Sequence, residues 1–346
     1  MTRDAVLRAP FTVCMWVTDY CNLDCAYCYA KPFSGRRMAS DRALELVREL
    51  GAMGVFDITL AGGEPMLHPD IVEMIRIAVA GGMRVGLLSN GVAMPQARID
   101  ALERVTTKQN FIIQISIDST DAAINDPVRG KTHRVVDTLE RLRKSALDVQ
   151  LATVVHKANV RSAHRVIEQY YPDIKRFHFL NVQRTASALQ HPELLLDEAE
   201  ALDFWLTLND YAKGFPDDLF LPSLRVQLRA LGQANTDPEA SLHAQASFDC
   251  GVCSAGWTHV NITADFDVLG CDIAREHSLM GNVAHESFGT VWRSAEADAV
   301  RSQPFPGCYK IAGPDGARLQ DHLKPEFVQH APAHEPVHVT PALVMG

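Results

Sequence analysis

The sequence predicts an α/β fold built on a parallel sheet, and three observations lead there. Short apolar runs alternate with stretches of helical spacing about six times between Phe11 and residue 185. The chain has 346 residues, 47% of them apolar, enough for a barrel-sized core. Three of its eight cysteines crowd into a few residues directly after the first predicted strand.

The elements follow in order. "FTVCMWV" (Phe11 to Val17) reads as a strand. "DRALELVRELGAMG" (Asp41 to Gly54) has helical spacing, with Ser40 or Asp41 as its cap and Gly51 or Gly54 near its stop. "FDITLAG" and "RVGLLSNG" are strands, each followed by a helix, "DIVEMIRIAVAGG" and "PQARIDALERV". "FIIQISID" leads to the helix "VVDTLERLRKSA", "VQLATVV" to "SAHRVIEQYY", and "RFHFLNV" is the sixth strand. Strand–helix–strand repeats imply right-handed crossovers, hence a partial (β/α)6, TIM-like barrel. Such a barrel carries its chemistry at the C-terminal ends of the strands.

Beyond residue 185 the rhythm changes. "LQHPELLLDEAEALDFWLTLNDYAKGF" is helical and acidic, and "TDPEASLHAQASF" (Thr236 to Phe248) reads as a connector. The expected division is a core over 1–235, a small C-terminal cysteine-bearing unit over 236–315, and an extended or disordered tail over 316–346.

Composition narrows the function. The net charge is −9, without a Lys/Arg-rich run, so a nucleic-acid partner is not expected. No apolar run reaches the roughly 18 residues of a membrane span, and the polar start "MTRDAVLRAP" is not signal-like. A cytoplasmic protein is expected, and there cysteines read as metal ligands before disulfides. Cys21, Cys25 and Cys28 form one group, and Cys250, Cys253, Cys271 and Cys308 another. Cys14 stands apart inside a strand, as a small hydrophobe.

Cys21-x3-Cys25-x2-Cys28 falls in a loop on the predicted catalytic face. A 4Fe–4S cube normally takes four thiolates. Three close thiolates leave one iron open to an amine and a carboxylate. Structural zinc is the competing reading, but Asn22, Leu23 and Asp24 space the first pair too widely for a knuckle.

That loop, with the aromatic Tyr27 before its last cysteine, resembles the radical S-adenosylmethionine (SAM) superfamily. "GGEP" (Gly62 to Pro65) ends the second strand, "SNG" (Ser89 to Gly91) the third, "SID" (Ser116 to Asp118) the fourth, and "VVHKAN" (Val154 to Asn159) the fifth. "DPVRG" (Asp126 to Gly130) also matches a family segment. The resemblance implies a SAM-binding 4Fe–4S cluster on Cys21, Cys25 and Cys28. It implies that Gly62, Gly63, Glu64 and Pro65 lie near the methionine amino group, and Ser116 and Asp118 near its carboxylate or the ribose. Ser89, Asn90 and Asn159 join them as cofactor-binding residues. Physically, Gly62 and Gly63 permit unusual backbone angles and close approach, Glu64 can pair with a cation or fix the turn, and Pro65 stops the strand. The plainer reading is a tight turn at Gly62 to Pro65 and helix caps at Ser89, Asn90, Ser116 and Asp118.

In the second group, "THVNITADFDVLGC" reads as a hairpin turning at Asp265 to Asp267, which returns Cys271 towards Cys250 and Cys253. With Cys308 the set suits a closed site, a second auxiliary 4Fe–4S cluster or zinc. The segment resembles the auxiliary-cluster extensions of radical SAM enzymes, SPASM and twitch domains, with fewer cysteines than the full SPASM pattern. Cys308 could instead donate a hydrogen atom to a substrate radical.

The activity this implies is reductive cleavage of SAM to a 5′-deoxyadenosyl radical, which removes a hydrogen atom from the substrate, with electrons from flavodoxin or ferredoxin. A small polar substrate, a sugar, nucleoside or aminocyclitol, is expected, because only ten residues precede the first strand and a peptide-recognition domain does not fit there. A SPASM-type maturase acting on a ribosomally made peptide is the alternative, and a non-catalytic iron–sulfur electron carrier is the alternative of another class.

Overall fold

The computed structural model describes residues 6–182, 186–224, 256–271, 275 and 278–302. All belong to the first of two units, 1–304 and 305–346. The expected connector and tail, and the boundary at 235, lie outside the described residues.

Six parallel strands follow one another as the alternation of apolar runs predicts. They are β1 (Thr12–Thr18), β2 (Asp57–Gly62), β3 (Arg84–Ser89), β4 (Phe111–Ser116), β5 (Val149–Val155) and β6 (Arg176–Asn181). Each pairs with the next in order. On the other side of β1 the sheet continues through β7 (His259–Ile262), parallel to β1, and then antiparallel through β8 (Asp267–Leu269) and β9 (Leu279–Asn282). The order is β6-β5-β4-β3-β2-β1-β7-β8-β9, with β6 and β9 at the two ends. The barrel is therefore partial, and the hairpin read around Asp265 extends the core sheet. Its turn is closed by Thr263 N donating to Asp267 O at 2.9 Å, with Phe266 at φ 66°.

The crossovers are α1 (Ser40–Met53), α2 (Ile71–Ala80), α3 (Gln96–Val105), the short α4 (Ala122–Asn125), α5 (Thr132–Leu142) and α6 (Arg165–Tyr170). After β6 come α7 (Ala186–Leu189) and α8 (Glu198–Ala212), and after β9 come α9 (Phe288–Trp292) and α10 (Ala295–Ser302). Helix α1 buries Ala43, Leu46, Val47 and Leu50 and stops at Gly54, which takes the left-handed angles a C-cap favours. Its start differs from expectation. Ala39 is the N-cap, without a side-chain bond, because the Ser40 hydroxyl is spent on Asp70 at the head of α2. Helix α8 carries a full capping box between Asp197 and Glu200.

Alternation sorts the two faces of the sheet. In β4, Phe111, Ile113 and Ile115 are buried while Ile112, Gln114 and Ser116 are half-buried. On that second face the side chains of Gln150 and Gln114 bond at 2.7 Å. One face thus supplies an apolar core, and the other keeps polar groups above it. Cys14 sits half-buried in β1 against Trp16, Ala30 and Ala61, as a small hydrophobe would.

Candidate active site at the strand ends

The cysteine loop leaves β1 at Thr18 and is tied to its surroundings through backbone. Gly63 N donates to Thr18 O at 2.8 Å and Glu64 N to Tyr20 O at 2.9 Å. Ala26 N reaches Val128 O at 2.9 Å, and Lys131 Nζ reaches Asn22 O at 2.8 Å. These bonds present Cys21, Cys25 and Cys28 as free, half-exposed thiols. Burial pushes the Cys21 thiol up to about 11 and raises that of Cys25, against the pull of the Arg129 guanidinium. Without a cluster, Cys21 and Cys25 hold their protons, and binding iron would replace those protons.

The donor set fits a three-thiolate cube. Thiolates are the ligands such clusters take. Among the described residues no three His, Cys, Asp or Glu side chains converge to hold a single metal ion.

The GGEP turn does something the sequence does not reveal. A Cβ on Gly62 would stand 2.0 Å from Thr18 O, and one on Gly63 would stand 2.3 Å from Tyr20 O. Gly62 also has φ +130°. The close approach these glycines permit is to the chain's own cysteine loop. Glu64 takes the turn-fixing role. It is fully buried, and its Oε1 accepts from Met66 N (3.0 Å) and Ser89 Oγ (2.8 Å) while Oε2 accepts from Asn90 N (2.7 Å). Burial raises its carboxyl to about 7 despite those donors. Pro65 is buried at the head of a one-turn 3-10 helix, Pro65–Leu67.

The remaining expected residues divide. Ser89 donates to Glu64 and accepts from Gly91 N at 3.0 Å, so its hydroxyl is committed within the chain. Asn90 reaches the loop itself, with Nδ2 2.7 Å from Asn22 Oδ1 and 3.6 Å from Cys21 Sγ. Asn159 is fully buried. Its Nδ2 donates to Asp118 O (3.0 Å) and Val154 O (2.9 Å), and its Oδ1 accepts from His156 N (2.8 Å). These three bonds make the Asn159 side chain a brace between the ends of β4 and β5. Ser116 is half-buried on the polar face of β4.

Asp118 anchors a buried group that sequence reasoning missed. Its Oδ2 accepts from the Tyr27 hydroxyl and lies 3.6 Å from His156 Nε2. Its Oδ1 accepts from Val154 N at 3.0 Å and lies 3.6 Å from Arg129 Nη1. Arg129 Nη1 also donates to Tyr27 Oη at 2.6 Å. Burial alone would push the Asp118 carboxyl up, but Arg129, His156 and Tyr27 together hold it below the usual carboxylate range. Tyr27 and Arg129 were both visible, one as the aromatic inside the cysteine motif and one in "DPVRG". Nothing local shows that they meet.

Of the second group, Cys271 is a free, half-buried thiol at the end of the hairpin, and its carbonyl accepts from Ser278 Oγ at 2.8 Å. Cys250, Cys253 and Cys308, with both roles considered for Cys308, lie outside the described residues. Among the described residues no helix is long and apolar enough to cross a membrane.

Comparison with known proteins agrees with this geometry. Residues 15–170 match the Radical SAM superfamily model, and residues 253–310 match SPASM, described as an iron–sulfur cluster-binding domain. The PqqA peptide cyclase of Ruegeria pomeroyi is 28% identical over 317 residues, covering 85% of this chain and 76% of the relative. The mycofactocin maturase MftC of Mycobacterium tuberculosis is 25% identical, covering 84% of this chain and 72% of the relative. The crystal structure of Streptococcus suis SuiB bound to S-adenosylmethionine superposes with a TM-score of 0.70 at 16% identity, covering 86% of this chain and 69% of SuiB, and shares the fold. The strand-end cysteine loop, the turn that buttresses it and both family matches lead to one conclusion: this chain is an enzyme of the radical SAM superfamily, using a 4Fe–4S cluster and SAM and carrying a SPASM-type auxiliary iron–sulfur domain.

Proposed function

We propose that the chain is a radical SAM maturase that modifies a peptide, with Cys21, Cys25 and Cys28 holding the SAM-binding cluster. The likeness to a peptide cyclase along most of both chains carries the substrate class. The sugar, nucleoside or aminocyclitol expected from the sequence has no comparable support. That expectation leaned on the short segment ahead of the first strand, and a recognition unit need not lie there.

When bound, the cluster and SAM supply one-electron cleavage and a carbon radical able to take hydrogen from an unactivated C–H bond. The chain's own residues do the rest. The Gly62 to Pro65 turn and Lys131 hold the thiol loop against the ends of β1 and β2. The Asp118–Tyr27–Arg129 group ties the loop to the end of β4. On the half-buried polar face, Gln114, Ser116, Gln150 and His178 offer donors and acceptors suited to peptide amides. A reducing partner such as flavodoxin or ferredoxin would supply the electron, and Cys250, Cys253, Cys271 and Cys308 are the thiols available for the auxiliary cluster.

The test uses anaerobically reconstituted, reduced protein with SAM. Formation of 5′-deoxyadenosine and a mass change in a precursor peptide encoded nearby are expected. The Cys21→Ala/Cys25→Ala/Cys28→Ala variant should form neither. Turnover of a sugar or nucleoside panel with peptides left intact would overturn the peptide reading. SAM cleavage undiminished in the triple variant would overturn the cluster assignment.

A further inference from the structure

We infer that Asn90 is a positioning residue that raises the reduction potential of the SAM-binding cluster, through an N–H···S hydrogen bond to Cys21. The inference rests on the reading that Cys21, Cys25 and Cys28 hold that cluster. Asn90 is the middle residue of the strand-end "SNG", and only 7% of it is exposed. Its carboxamide cannot turn over. Oδ1 accepts from Val92 N at 2.9 Å, and only an oxygen can accept there. The NH2 group must then face the cysteine loop, where its two hydrogens have two acceptors. One is Asn22 Oδ1 at 2.7 Å, and the other is Cys21 Sγ at 3.6 Å. The backbone is equally fixed, since Asn90 N donates to buried Glu64 at 2.7 Å. The donor is thus aimed at the sulfur before any iron arrives.

The electrostatic consequence has a definite sign. Reducing the cluster by one electron puts more negative charge on its sulfurs. A donor aimed at a ligand sulfur stabilises the reduced state more than the oxidised one, so the potential rises. Low exposure keeps the bond from being averaged away by water. Asn90 therefore eases entry of the electron that SAM cleavage requires, acting through Cys21.

The experiment is a redox titration of the holoenzyme, following the EPR signal that changes on adding SAM. That choice separates this cluster from the auxiliary one. Asn90→Leu keeps the size and removes the donor. Its reduction equilibrium constant should fall about tenfold, a negative shift of about 59 mV for one electron. Asn90→Asp keeps the acceptor for Val92 N and puts a second oxygen towards the sulfur, so its shift should be larger and of the same sign. If Asn90→Leu fails to load iron, Asn22→Ala decides. It removes the partner that aligns the carboxamide and should give a smaller negative shift. Fully loaded Asn90→Leu or Asn22→Ala protein with the parental potential overturns the inference. Absence of any SAM-responsive signal in the parent chain is a different failure, that of the cluster assignment itself.

Discussion

The carbonyl oxygen of Thr18 occupies the space into which a Cβ on Gly62 would project, only 2.0 Å from where that atom would be. The end of β2 is thereby pressed against the start of the cysteine loop, and Gly63 repeats the contact one residue on, against Tyr20 O at 2.3 Å. Both obstacles are backbone, which cannot swing aside as a side chain can.

The first prediction follows from that contact. Gly63→Ala should cost about 3 kcal/mol or more, at or beyond the upper end of overpacking penalties, because the clash is with main chain. The same change should lower iron at the loop, since Cys21 directly follows Tyr20. Denaturant unfolding of the cluster-free chain and iron counting after reconstitution check both. A Gly63→Ala protein with parental stability and full iron would show that the approach is not demanding.

Glu64 gives a pH dependence. In the unfolded chain its carboxyl titrates near 4.5, but burial raises it to about 7 in the fold. Below 4.5 both states hold the proton and the fold carries no penalty. As pH rises from 4.5 to 7 the unfolded chain releases its proton first, so stability falls across this window and the loss is complete above 7. The cost is on the order of 3 kcal/mol. Glu64→Gln removes the titration. It also leaves one of three inward donors facing an NH2 group, at about 1 kcal/mol independent of pH. The difference between the two unfolding free energies should therefore change across pH 4.5 to 7 in the cluster-free chain. Parallel curves would sink the assignment.

The Asp118 group predicts a rescue. Arg129→Met leaves the Asp118 carboxylate buried without its guanidinium and should cost about 3–5 kcal/mol. Adding Asp118→Asn removes the stranded charge and should recover part of that loss. Tyr27→Phe, which deletes one hydroxyl between the two, should cost about 1–2 kcal/mol. A double-mutant cycle by chemical denaturation measures the coupling. Strict additivity of the Arg129 and Asp118 changes would mean they do not act as a pair.

How much of this was legible follows from the range of each interaction. The six parallel strands were readable because apolar period and punctuation are local signals, and the α1 stop at Gly54 was readable for the same reason. The cysteine loop and the GGEP turn were readable as motifs placed at strand ends. The meaning of the glycines was not, because it depends on Thr18 and Tyr20, more than forty residues away in the chain. The bracing bonds of Asn159 leave no mark in the sequence, since an exposed Asn and a bonded one look alike there. The pairing of Tyr27 with Asp118, ninety-one residues apart, exists only once β1 and β4 share a sheet. The continuation of the sheet through β7 was equally hidden, because a hairpin pattern does not say which edge it will join.

The last prediction concerns Arg301, which bonds to Gly256 and to the α9 and α10 helices within the SPASM-matching segment. Arg301 is 6% exposed. Its Nε donates to Gly256 O at 2.8 Å, its Nη2 to Trp292 O at 2.8 Å, and its Nη1 pairs with Asp298 at 3.1 Å. The guanidinium carbon lies 4.1 Å from the Trp292 ring centroid. Gly256 comes three residues after Cys253, and it packs against Gly270, the residue before Cys271. A Cβ on Gly256 would sit 3.8 Å from Gly270 Cα, and one on Gly270 would sit 3.0 Å from Val300. Arg301 therefore ties Gly256, on the stretch that follows Cys253, to α9 and α10, and Gly256 packs in turn on Gly270 just before Cys271. Arg301→Met keeps much of the apolar stem and loses every one of these bonds, stranding two carbonyls and a carboxylate. It should lower the iron of the reconstituted protein by up to about four atoms per chain, the content of one cube, while the SAM-responsive EPR signal persists. Arg301→Lys keeps the charge but cannot span both carbonyls with a planar fork, so it should restore iron only in part. Full iron in Arg301→Met would show that the auxiliary thiols are positioned by something other than these bonds.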